Sequence, residues 1–155
     1  MFSIQEICDL AIRIEKNGEM FYRDALKKRL RPGLRPLLQL LADDETKHRE
    51  WFAAKKGNLN PDAGASSIDG KESDLLQDIL GDQTFSLEGA DLSKIEKIED
   101  LLEMAIEFEK DTILFFEMIQ AFVQTEEIKK KLNAFIEEEN RHIHLLKQYR
   151  ETEMD

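Results

Sequence analysis

Displaced by 94 residues the chain lies on itself, and this repeat constrains the fold more than any other feature. Ala11-Ile12-Arg13-Ile14-Glu15-Lys16 falls on Ala105-Ile106-Glu107-Phe108-Glu109-Lys110 without a gap. Phe21-Tyr22 falls on Phe115-Phe116, and Glu45-Thr46-Lys47-His48 on Glu139-Asn140-Arg141-His142. Residues 2–56 and 96–150 are two copies of one unit, so whatever the first folds into, the second must match. At 155 residues the chain has room for one core and no second globular unit. The copies share that core, in a single domain spanning 1–155.

Each copy reads as a helical hairpin. Ile7, Leu10, Ala11, Ile14, Phe21, Tyr22 and Ala25 keep the i, i+3, i+4 rhythm of a helix running from Ile4 to about Leu30, with Ser3 and Glu6 as an S-x-x-E capping box. After the Arg31-Pro32-Gly33 break a second pattern runs from Leu34 through Leu37, Leu38, Leu41, Trp51 and Phe52 to about Lys56. Pro36 fits there, because first-turn N–H groups have no intrahelical partner. The third helix runs from beyond Lys97 to about Phe122 (Leu101, Leu102, Ala105, Ile106, Phe108, Leu114, Phe115, Ile119), and the fourth from Ile128 through Leu132, Phe135 and Leu146 to Tyr149. Residues 57–95 differ in composition, with five of the seven glycines (Gly57, Gly64, Gly70, Gly81, Gly89) and Pro61. They form a crossover, with a possible short helix from Asp74 to Leu80. So long a connection makes sense if helices 2 and 3 run parallel, since the chain must then travel back along the whole bundle. The fold class is all-α: a four-helix bundle of two antiparallel hairpins joined by a crossover.

The chemistry sits in the repeat. Three residues along a helix is about 300° of rotation and about 4.5 Å of rise, so Glu45 and His48 are neighbours on one face, as are Glu139 and His142. Leu38, Leu41 and Phe52, and Phe135 and Leu146, lie on nearby turns, so these faces point inward. A buried glutamate without a partner is costly, and protonation or a bound cation relieves it. Glu15 and Glu45 have their midpoint at residue 30, beside the first turn. Glu109 and Glu139 have theirs at residue 124, in the Gln124-Thr125-Glu126 break. Antiparallel hairpins therefore bring three ligand-type side chains per copy to one level, roughly 22 Å from each turn.

Four glutamates and two histidines converging in a four-helix bundle make the ligand set of a ferritin-like di-metal site. In Glu15 with Tyr22 seven residues on, in Glu109 with Phe116, and in both Glu-x-x-His motifs, the chain resembles the rubrerythrin and ferritin-like di-iron family over nearly its whole length. The resemblance implies two Fe ions, with Glu15 and His48 on one, Glu109 and His142 on the other, and Glu45 and Glu139 bridging. Mn or Zn could also occupy such ligands. In that family a tyrosine at the Tyr22 position hydrogen-bonds a ligand carboxylate; an aromatic there can equally be core packing. Where rubrerythrins have a further glutamate this chain has Thr112, which leaves a symmetric, bacterioferritin-like set of six. With Cys8 as its only cysteine it holds neither an internal disulfide nor the four-thiolate rubredoxin centre of full-length rubrerythrins. Electrons must then come from a separate donor protein.

Of the remaining candidates, His144 has Arg141 three residues before it and reads as a surface or packing residue. Cys8 reads as a small buried hydrophobe. Phe108, Phe115, Phe116, Phe122 and Phe135 read mostly as core, with a dimer face as the alternative, and of Glu137-Glu138-Glu139 only Glu139 has the phase of a ligand. The net charge of -11 excludes phosphate backbones and anionic membranes as natural partners. It divides into -6 from residues 57–95 and -4 from the ligand glutamates, leaving -1 for the rest. The N-terminal residues lack the pattern of a signal peptide and no stretch is apolar enough to span a membrane, so a soluble, cytoplasmic protein is expected. Three functions are compatible: a non-haem di-iron oxidoreductase reacting with peroxide or O2, a ferroxidase or iron-storage protein, and a helical module stabilised by metal. The resemblance favours the first, as a homodimer.

Overall fold

The computed structural model describes residues 4–28, 30–57, 95 and 97–153. Ser3 of the expected capping box and the possible helix at 74–80 lie outside them. Among the described residues the elements are α1 (Ile4–Ala25), α2 (Leu34–Gly57), α3 (Ile98–Phe122) and α4 (Glu126–Glu153). The first helix stops earlier than its apolar rhythm suggests. Leu26 N–H still donates to Tyr22 O at 3.0 Å, but Lys27 donates to Asp24 O and Lys28 to Ala25 O, both at 3.1 Å. That three-residue spacing tightens the coil and ends the helix. α4 extends past the expected limits at both ends; Glu126 and Glu127 in its first turn suit the positive end of the helix dipole, and Arg150 the other end.

α1 packs on α2 and α3 on α4, each as an antiparallel hairpin. Two apolar clusters record how the hairpins meet. One combines Ile7, Ala11, Ile14 and Phe52 with Phe108, Phe115, Phe116, Leu132 and Phe135. The other combines Phe21, Tyr22, Leu34, Leu38 and Leu41 with Leu101, Leu102, Ile106, Leu146 and Tyr149. The first turns of α2 thus share a cluster with the first turns of α3, so these helices run parallel, as a long crossover requires. No helix among the described residues is long and apolar enough to cross a membrane.

The repeat is not symmetric in volume. Gly18 is buried where the second copy has Thr112, and Phe108 stands where the first has Ile14. A Cβ on Gly18 would lie 2.7 Å from Phe108 Cε1 and 2.9 Å from Cζ, so the ring fits only because residue 18 has no side chain. Cys8 is buried, its thiol pushed up to about 11 by burial first and then by Asp9. His144 is exposed. Leu114, expected with the inward stripe, and Phe122, expected in the core or on a dimer face, are both exposed. Each lies about 140° around α3 from Glu109, on the face away from the core.

Candidate metal centre

Between the two apolar clusters lies a polar layer. Glu15, Glu45, Glu109, Glu139 and His142 are fully buried and His48 almost so, every one of them projecting from the middle of its helix. The structure gathers the six into two groups of four: Glu15, Glu45, His48 and Glu139, and Glu45, Glu109, Glu139 and His142. Within each group one potential ligand atom per residue lies within 4.8 Å of the others. Glu45 and Glu139 belong to both groups. The mirrored register of the hairpins produces this arrangement, since α1 and α3 supply one glutamate each and α2 and α4 a Glu-x-x-His pair.

Both histidines turn the same nitrogen inward. His48 Nδ1 lies 3.0 Å from Glu139 Oε1 and 3.4 Å from Glu15 Oε1. His142 Nδ1 lies 3.4 Å from Glu139 Oε2 and 3.5 Å from Glu45 Oε1 and Glu109 Oε1. The rings stack at 6.5 Å with planes 13° apart. None of these inward contacts is a hydrogen bond. Both oxygens of Glu15, Glu45 and Glu139, Glu109 Oε2 and both Nδ1 atoms are buried without a hydrogen-bond partner. Orphaned polar groups of this kind are rare and costly in a folded core. Divalent cations, one per group, would satisfy all of them, and mixed carboxylate and imidazole donors suit iron or manganese.

The outward nitrogens are held across the bundle. His142 Nε2 donates to Asp44 Oδ2 at 2.9 Å, and His48 Nε2 donates to Glu138 Oε2. Such carboxylates orient a histidine and set which nitrogen is free to bind. Neither stands out in the sequence, where Glu138 lies in an acidic run without the phase of a ligand. Their signal was present: Asp44 and Glu138 are 94 residues apart, each just before a Glu-x-x-His motif. Each serves the histidine of the other copy.

Tyr22, left open between two roles, fills both. Its ring is wholly buried in the second apolar cluster and its hydroxyl donates to Glu109 Oε1 at 2.5 Å. Phe116, its counterpart, has no hydroxyl to offer. Thr112 is buried and donates to Phe108 O at 3.0 Å, the backbone carbonyl one turn before it.

The electrostatics are those of acids and bases crowded together. Burial disfavours the imidazolium of His48, but Glu15 and Glu139 outweigh it and push the group up to about 11. His142, likewise opposed by burial, is pushed up to about 12 by Glu139 and Asp44. Burial raises Glu15, and raises Glu45 further with the repulsion of Glu139 and Glu15. Burial would raise Glu139 too, yet the two histidines, His142 first, bring it down to about 2. Burial and the surrounding glutamates raise the Tyr22 phenol, which therefore remains a donor. In metal-free protein, protons do the neutralising that cations would otherwise do.

The sequence profile of the Rubrerythrin family matches residues 6–150. The chain belongs to the rubrerythrin family. This rubrerythrin-family fold is also that of a crystal structure from Thermotoga maritima, described as a ferritin-like diiron-carboxylate protein. That structure matches with a TM-score of 0.72 at 22% identity, over 98% of this chain and 97% of the other. No curated protein matches this rubrerythrin-family member in sequence.

Proposed function

We propose that this protein is a non-haem di-iron oxidoreductase that reduces peroxide or O2 with electrons from a separate donor protein. The observation that carries this reading is the set of buried, unpartnered carboxylate and imidazole atoms arranged as two groups sharing Glu45 and Glu139. In this reading Glu15 and His48 would hold one iron and Glu109 and His142 the other, with Glu45 and Glu139, common to both groups, serving the two. Bound iron supplies two adjacent one-electron couples, matched to the two-electron reduction of an O–O bond.

The chain's own residues shape the site around that pair. Asp44 and Glu138 hold the imidazoles with Nδ1 inward. Tyr22 occupies one oxygen of Glu109 and leaves the other for the metal. Phe52, Phe108 and Phe116, all buried, keep bulk water from one side of the layer, and the Tyr22 ring and Leu41 from the other. Glu15 and Glu45, whose carboxyls burial biases toward the neutral form, can hold protons when the cation charge is low.

Anaerobic Fe(II) titration should show two ions per chain, and the reduced, loaded protein should consume peroxide or O2 in a stopped-flow experiment. Glu45→Ala combined with His142→Ala should lose both iron and activity. Wild-type protein that carries two irons and reacts with neither oxidant would refute the oxidoreductase reading. Light scattering separates it from iron storage, which needs a hollow multimer; a dimer, the expected state, cannot hold a mineral core. The fit of one set of ligands to iron, manganese and zinc makes metal analysis of protein from its native host part of the same test.

A further inference from the structure

Among the described residues an aromatic route leads from His48 to the protein surface. The His48 ring lies 4.1 Å from the Phe135 ring, and Phe135 meets Trp51 edge-on at 5.7 Å. Trp51, one turn beyond His48 on α2, is the sole tryptophan and only half-buried. At the repeat-equivalent positions the second copy has Leu145 for Trp51, and the first has Leu41 for Phe135. The route is therefore not a product of the duplication: aromatic rings stand on the His48 side where aliphatic chains serve as packing on the other.

The charge around the indole also departs from that of the chain. Lys131 lies over the Trp51 ring at 5.8 Å and over Phe135 at 5.2 Å. Lys47 and Lys55 stand one turn before and after Trp51 on the same face of α2. Arg141 lies further along the groove between α2 and α4, 4.0 Å from Asp44. Three acids beside this groove are paired: Glu127 with Lys55 at 3.1 Å, Glu138 with His48 and Asp44 with His142. On a protein of net charge -11, Lys47 and Lys131 thus stand as cations beside the aromatic edge that leads to His48.

We propose that the Trp51 edge of the α2–α4 groove is the port through which the metal centre exchanges electrons with an external one-electron carrier of anionic surface. The proposal rests on the di-iron reading above. Electrons pass between the centre and the carrier through His48, Phe135 and Trp51, and no bond or proton at these residues changes. Each transfer oxidises one partner by one electron and reduces the other by one. Lys47 and Lys131 draw in the carrier's acidic face, an attraction that falls with ionic strength.

The test has a metal-free arm and a metal-loaded arm. Without metal, the fluorescence of the sole tryptophan should be quenched more strongly by iodide than by caesium, and Lys47→Glu with Lys131→Glu should reverse the order. Equal quenching in wild type would overturn the anionic selectivity. With iron loaded and reduced without oxygen, ferricyanide serves as an anionic one-electron probe and a cationic cobalt(III) complex as its opposite. Oxidation by ferricyanide should slow as salt rises, and oxidation by the cobalt complex should not. Trp51→Phe and Trp51→Leu should each slow ferricyanide oxidation several-fold at unchanged iron content, while Lys110→Gln on α3 leaves it unaltered. Loaded variants that oxidise at the wild-type rate would refute the port alone. Wild type that takes up no metal would refute the di-iron reading, and the port with it.

Discussion

Removing the hydroxyl of Tyr22 tests the link between packing and the metal centre most directly. Tyr22→Phe keeps the buried ring and deletes one atom, whose hydrogen bond to Glu109 Oε1 is 2.5 Å long and fully enclosed. A hydrogen bond to a charged acceptor contributes about 1.5–3 kcal/mol, and the oxygen left behind cannot turn to water. A loss of about 2 kcal/mol in the metal-free protein is therefore expected. At 2–4 °C per kcal/mol for a chain of this size, the melting temperature should fall by roughly 4–8 °C. In the proposed di-iron reading the same bond would aim Glu109 at a metal, and affinity at that position should drop by about 10–100-fold on top of the loss in stability. Thermal melts with and without metal, followed by competition against a chromophoric chelator, measure both quantities. Phe116→Tyr, which places a hydroxyl at the repeat-equivalent position nearest Glu15, should not reproduce the loss. Unchanged melting and unchanged affinity in Tyr22→Phe would mean that the hydroxyl does not hold the carboxylate.

If His142 and His48 each hold a metal as proposed, Asp44→Asn should weaken the one at His142 and Glu138→Gln the one at His48, each by about 10–100-fold; equal effects on both metals in site-resolved spectra would contradict the crosswise pairing. His48 and His142 are raised in the metal-free fold, to about 11 and about 12, so the stability they contribute is complete below the ordinary histidine value of 6.5 and fades as pH rises toward those values. Metal must displace these protons, so affinity should rise with pH and titration calorimetry should show proton release that scales with the buffer's ionisation enthalpy. Glu139 has the opposite sign: its contribution is present above 4.5 and is lost as pH falls toward about 2, visible as acid destabilisation of the metal-free protein. Gly18→Ala should destabilise despite its better helix propensity, because overpacking against Phe108 costs about 1–3 kcal/mol and the propensity gain is about 1 kcal/mol. Adding Phe108→Leu should recover part of that loss in a denaturant titration.

Much of the bundle was legible from the chain because helices and hairpin register are local properties. Apolar spacing placed all four helices to within a few residues, and the midpoints at residues 30 and 124 placed Glu15 level with Glu45 and Glu109 level with Glu139. The errors were at ends and edges. α1 stops at Ala25 because a tight turn captures its last carbonyls, and Leu114 and Phe122 follow the apolar count of α3 yet lie on its far side.

The level of the ligand-type side chains belongs to that local inheritance, since mirrored hairpins set three of them at one height in each copy. The residues that hold them do not. Glu138 looked like one more acid in a run, and Asp44 was not singled out; each matters because α2 lies against α4 and brings it to a histidine 90 or 98 residues away. Tyr22 could be assigned its partner only once α1 was set beside α3, and Gly18 explained only once the Phe108 ring was seen filling the space above it. Spacing along a helix reports which face a side chain occupies. Which atoms meet it there depends on how two helices pack, and that is settled by contacts between residues far apart in the chain.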